Sequence, residues 1–121
     1  MIYPGPVDPL LVQTGTRPQC PSKLVRDRIP EIIRKRGAIP DYYIASSAEY
    51  RTRLEEKLAE EVAEFLSADG QPTAEEELAD VLEVVLALAA DLGITPERLE
   101  ATRSAKATSR GAFTERIILV G

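Results

Sequence analysis

The chain has 121 residues, 44% of them hydrophobic and 29% charged, which suits one globular domain with a modest core. That core must be aliphatic, because only 5% of residues are aromatic and there is no Trp. A formal net charge of −5 argues against a nucleic-acid polymer as partner, since such binding selects a basic excess. There is no His, and Cys20 is the only Cys, so zinc sites of the usual kind, Ser-His-Asp and Cys-His chemistry, and a disulfide within the chain are all excluded.

Any acid, base or metal ligand must therefore come from Asp, Glu, Lys, Arg or Tyr. A lone Cys fits a reducing cytoplasm, and the N-terminus has no basic stretch followed by an apolar run, as a signal peptide would. The longest apolar-looking run, residues 78–92, is broken by Asp80, Glu83 and Asp91 and is too short and too charged to span a bilayer. The expectation is a soluble, cytoplasmic protein without a membrane contact.

Residues 1–22 hold Pro4, Pro6, Pro9, Pro18 and Pro21 and read as an extended arm with no helical period. The domain proper is expected over residues 23–121. Its first helix is predicted over 23–36, apolar at Leu24, Val25, Ile29, Ile32 and Ile33, with Pro30 starting a new turn or kinking it and Gly37 ending it. Residues 41–45 read as a short strand, and the β-branched residues 116–120 as its partner. Two strands alone are marginal and would have to lean on the helices.

Ser46-Ser47-Ala48-Glu49 forms a capping box for a second helix reaching about Ala68. Asp69-Gly70-Gln71-Pro72 breaks the chain, and Thr73-Ala74-Glu75-Glu76 is a second capping box for a helix running to Leu92, where Gly93 stops it. Thr95-Pro96 supplies an N-cap and a first-position Pro for a fourth helix to about Lys106. The fold class expected is mainly all-α, an antiparallel helical bundle with a small two-stranded β element. The short link between helices two and three makes them antiparallel neighbours. Helix three is apolar round more than half its circumference, more than one small chain can cover, which predicts a homodimer or homotetramer.

At about 100° per residue, the apolar stripe of helix two is Leu54, Leu58, Val62, Phe65 and Leu66, with Glu61 on its margin, Glu64 one turn along and Lys57 on the same edge. On helix three, Glu77 falls inside the apolar arc and Asp80 at its edge. Crowding of acids in a first helical turn explains Glu75 and Glu76, and a solvated face explains Glu55, Glu56 and Glu60. Neither accounts for Glu77, and they account for Glu61 only in part. Residues at i and i+3 are surface neighbours, so each helix sends a carboxylate pair toward the hairpin seam. Convergent carboxylates need a counter-charge, and oxygen ligands suit Mg²⁺, Mn²⁺ or Ca²⁺.

In Glu61-Val62-Ala63-Glu64 and Glu77-Leu78-Ala79-Asp80 the chain resembles the MazG-like all-α nucleoside triphosphate pyrophosphohydrolases, which carry E-x-x-E on one helix and E-x-x-D on the next. Lys23-Leu24-Val25-Arg26-Asp27-Arg28-Ile29-Pro30-Glu31-Ile32-Ile33, Lys57-Leu58, and Lys106 with Arg110-Gly111-Ala112-Phe113 resemble a phosphoribosyl-ATP pyrophosphohydrolase-like subgroup. The resemblance implies Mg²⁺-dependent cleavage of a nucleoside triphosphate between its α and β phosphates, with Mn²⁺ as a substitute metal. It implies Glu61, Glu64, Glu77 and Asp80 as ligands, with one of them or Glu60 orienting the water, so that Glu60 and Glu61 are the catalytic candidates. Lys57, Lys106 and Arg110 are candidates for the substrate phosphates, and Arg26 with Asp27 reads equally as a structural ion pair. Tyr42, Tyr43, Tyr50 and Phe113 are all open as base-stacking residues. Two alternatives remain: the histidine-biosynthesis pyrophosphohydrolase acting on phosphoribosyl-ATP, and a non-catalytic nucleotide-binding helical oligomer.

Overall fold

A computed structural model describes residues 22–121, so the expected N-terminal arm lies outside the described residues except for Ser22. Four helices follow in order: α1 (Ile29–Lys35), α2 (Ser47–Leu66), α3 (Gln71–Asp91) and α4 (Pro96–Arg110). The mainly helical expectation holds.

Local chemistry sets the helix starts. Ser46 caps α2, its hydroxyl accepting a hydrogen bond from the Glu49 amide at 3.2 Å, and Thr95 caps α4 by accepting from the Arg98 amide at 3.1 Å. α3 starts two residues before the expected box, at Gln71, behind Gly70 with φ 89°. Pro72, with its φ already fixed near the helical value, opens that helix, and Thr73 lies inside its first turn. At the other end Gly93 adopts φ 80°. The amides of Gly93 and Ile94 turn back to the carbonyls of Ala90 (2.9 Å) and Ala89 (2.8 Å), a Schellman closure that L-residues resist.

Two expectations are corrected. The first helix does not begin at Lys23: residues 23–26 form no regular element, 27–28 turn, and α1 begins at Ile29 with Pro30 in its first turn. A helix running through Pro30 would lose one ladder bond and clash with the preceding turn, so Pro30 has to open the helix. The two-stranded β element is also not seen, since no strand forms among the described residues. Ile117, Ile118, Leu119 and Val120 are 80–88% exposed, and Arg116 takes φ 59°. With no described helix covering residues 116–120, a lone pair of strands has nothing to hold it. Tyr42 and Tyr43 instead anchor their stretch through side chains: the Tyr42 hydroxyl accepts from Arg34 of α1, and the Tyr43 hydroxyl donates to Glu49 of α2.

α2 and α3 form the antiparallel hairpin, with Arg51 near the start of α2 paired to Asp91 at the end of α3. Among the described residues the buried apolar side chains are few: Ile29, Leu54, Val84 and Ala89. α4 buries no residue, and among the described residues no helix is long and apolar enough to cross a membrane.

Candidate functional site

The hairpin seam is made by one stripe from each helix. α2 buries Leu54, Lys57 and Glu61, and α3 buries Glu77, Asp80, Val84 and Ala89; from Leu54 to Glu61 and from Glu77 to Val84 the spacing is three and four residues, which keeps side chains on one face. Glu61 is not at the margin of this stripe but at its centre, with 0% exposure, whereas Val62 and Leu66 turn outward at 38% and 76%. The seam is thus rotated from the stripe that hydrophobicity alone selects.

Two sets of carboxylates converge here. Ligand atoms of Glu61, Glu77 and Asp80 lie within 4.8 Å of one another, as do those of Glu60, Glu61 and Glu64. Glu61 belongs to both, so all four expected ligands gather around it. Both Glu61 carboxylate oxygens and Oε2 of Glu64 are buried without a hydrogen-bond partner among the described residues. Burial first, then the neighbouring Glu64 carboxylate, pushes the Glu61 pKa up to about 7, with Asp80 adding to the rise and Lys57 opposing it. Glu77 is also raised, by burial and then by Glu64 and Asp80. Native proteins seldom leave buried carboxylate oxygens without donors. All-oxygen donors of this kind fit a hard divalent cation, which would satisfy those oxygens and offset their repulsion.

Cations ring the carboxylates. Lys57 is only 5% exposed, and its Nζ lies 3.1 Å from Glu60 Oε1. Lys23 Nζ reaches the same oxygen at 3.2 Å. Burial alone would raise the Glu60 carboxyl, but hydrogen bonds from Lys57 and Lys23 outweigh it and hold the group below its ordinary range. Arg26 does not pair with Asp27: its Nη2 lies 2.6 Å from Asp80 Oδ1 on α3. Residues 23–28 thus cross the hairpin as a strap, and a cleft of about 430 Å³ opens between them. Tyr50, Leu54, Val84 and Ala87 give it an apolar wall, and Arg26, Lys57, Glu61 and Asp80 a charged one.

Of the four aromatic candidates only Tyr50 lines this cleft, and Phe113 is 98% exposed. Lys106 and Arg110, on exposed α4, are not among the cleft residues; Arg110 borders a separate groove with residues 111–118. Lys23 and Arg26 are the site residues that sequence reasoning missed. The signal available was the family-like stretch from Lys23 to Ile33, which gives neither side chain a role and does not say where an irregular segment crosses.

The signature of the phosphoribosyl-ATP pyrophosphohydrolase family matches residues 31–106, from α1 to most of α4. A protein of Mycolicibacterium smegmatis described as uncharacterized is similar, 49% identical over 53 residues, which cover 44% of this chain and 54% of that one. The chain thus spans about half the length of that relative. No solved structure matches.

Proposed function

Because this chain belongs to the phosphoribosyl-ATP pyrophosphohydrolase family, with that family's hydrolase chemistry on acid anhydrides, we propose that it hydrolyses a nucleoside or deoxynucleoside triphosphate to a monophosphate and pyrophosphate in a Mg²⁺-dependent reaction. The observation that carries the reading is Glu61: fully buried, both oxygens without a donor among the described residues, at the meeting point of two carboxylate clusters. Such a group is costly unless something positive comes to it.

Glu61, Glu64, Glu77 and Asp80 are the proposed ligands of Mg²⁺, with Mn²⁺ as a substitute. When bound, that ion offsets charge on the phosphates and lowers the pKa of water. Glu61 offers two acceptor oxygens, one for the cation and one for the attacking water, so it is also placed to take that water's proton. Glu60, held by two ammonium groups, orients that water rather than taking its proton. Lys57, beside the carboxylates, faces the phosphate chain, and Tyr50 in the apolar wall is the residue placed to meet a base. Lys106 and Arg110 would act on phosphates only if α4 of a second copy carries them to the cleft.

A second copy is expected on separate grounds. α3 exposes Leu78 (52%) and Leu82 (57%), and its C-cap Leu92 is 59% exposed, while the buried apolar side chains among the described residues are too few to stabilise a domain of this size. We read the protein as a homodimer or homotetramer, cytoplasmic and engaged in nucleotide clean-up. A panel of nucleoside triphosphates and phosphoribosyl-ATP, each assayed with Mg²⁺ for released pyrophosphate, tests the reading. Preference for phosphoribosyl-ATP would favour the histidine-pathway activity, and binding without turnover would favour a non-catalytic oligomer.

A further inference from the structure

We propose that the strap of residues 23–28 is a phosphate clamp, in which Arg26 fixes Asp80 with one guanidinium nitrogen and holds the leaving pyrophosphate with the others. The proposal rests on the pyrophosphohydrolase reading above. The family-like stretch that contains Arg26 assigns it no role; its position across the hairpin, bonded to Asp80, does.

The strap is pinned to both helices of the hairpin. Arg53 of α2 donates to the Ser22 carbonyl and hydroxyl oxygens, each at 2.9 Å. Lys23 then bonds Glu60 of α2, Arg26 bonds Asp80 of α3, and the Ile29 amide closes a turn onto the Arg26 carbonyl at 3.1 Å. Arg26 is therefore held in place before any substrate arrives, which lowers the ordering cost of a later contact.

Its chemistry and exposure then narrow the role. A guanidinium carries five N–H donors in a planar fork matched to phosphate oxygens. Among the described residues only Nη2 of Arg26 is engaged. The Arg26 side chain is 49% exposed and that of Asp80 12%, so the fork reaches outward from the carboxylates along the cleft that both residues line. Lys57, at 5%, sits deep instead. A chain of phosphates attacked at its α position beside Glu61 would therefore extend its β and γ phosphates toward the strap.

In that step the water oxygen bonds to the α-phosphorus and a water proton passes to Glu61. The bond from the α-phosphorus to the α,β-bridging oxygen breaks, and its electron pair leaves on pyrophosphate. Charge thus grows where Arg26 stands, and a donor aimed at developing charge is worth most in the transition state.

Calorimetry on the full chain with Mg²⁺ tests this, using three ligands: inorganic pyrophosphate, the α,β-methylene analogue of the best triphosphate of the panel, and the matching monophosphate. Arg26→Ala should weaken pyrophosphate and analogue about 10-fold or more, and leave the monophosphate within about 2-fold. Arg26→Lys keeps a cation for Asp80 but loses the fork, and should show the same selectivity in smaller measure. Lys35→Ala, on the outside of α1, should change none of the three. Equal weakening of all three ligands by both Arg26 variants would make Arg26 a structural support only and overturn the clamp, as would no weakening at all. If Arg26→Ala does not fold, Arg26→Lys decides by the same selectivity. Wild-type protein that releases no pyrophosphate from any triphosphate would overturn the parent reading and the clamp with it, whereas wild-type turnover with unselective variants overturns the clamp alone.

Discussion

The two faces of α3 are inverted relative to an ordinary amphipathic helix. The face turned to α2 buries Glu77 and Asp80 beside Val84, while the opposite side leaves Leu78 and Leu82 more than half exposed. In a helix whose only task is to fill a core, the leucines would be inside and the acids outside. The inversion separates two jobs. On the function proposed above, the inner face is the site, kept acidic at the expense of stability, and the outer face supplies the apolar contact that the inner one gives up, against a second copy.

Breaking the inner face should have the largest effect. Glu61→Gln, nearly isosteric but without charge, should lower kcat by about 1000-fold or more in a pyrophosphate-release assay, as expected for a group that both ligates and takes a proton. Glu55→Ala, on the exposed side of α2, should leave the rate unchanged. Equal rates for the two variants would remove Glu61 from the chemistry.

Breaking the outer face should be felt in mass before rate. Leu82→Asp should dissociate the assembly and lower the melting temperature by several degrees, since a buried charge at an interface is not offset. Light scattering of the wild type should give a multiple of 13.3 kDa; the single-chain mass at micromolar concentration would contradict the proposed role of the leucines.

The smallest effect sharpens the comparison through pH. Glu61 has a folded pKa near 7 against an ordinary 4.5, so the folded state binds more protons than the unfolded state between these values. Without metal, its contribution is full below about pH 4.5 and is lost as pH rises through about 7. A divalent cation competes with that proton, so the melting-temperature gain from Mg²⁺ should grow across the same window. In Glu61→Gln both trends should flatten. A Mg²⁺ gain in wild type that is independent of pH would mean that the ion binds elsewhere.

Much of this was legible beforehand, and the misses have physical causes. Caps are local chemistry, so Ser46 and Thr95 marked helix starts correctly, and Gly93 marked an end. The paired carboxylates were legible because two i, i+3 pairs on successive helices conflict with solvation alone as an explanation. The exact seam was not, because hydrophobicity places it through Leu58 and Val62, whereas the fold centres it on Glu61. The strap was not legible either: a segment outside helix and strand has no periodicity, and it is held by contacts distant in sequence, such as Arg26 with Asp80, 54 residues away. The expected strand pair failed for a related reason, since residues 116–120 have β-branched composition but no described neighbour to pair with.

The central claim, that the carboxylate seam directs water to the α-phosphate, is tested most directly by hydrolysis in ¹⁸O-water with Mg²⁺, the products being read by phosphorus NMR and mass spectrometry. The account predicts one ¹⁸O in the nucleoside monophosphate, none in the pyrophosphate, and equal amounts of the two. Label in pyrophosphate, or release of orthophosphate with a nucleoside diphosphate, would contradict it.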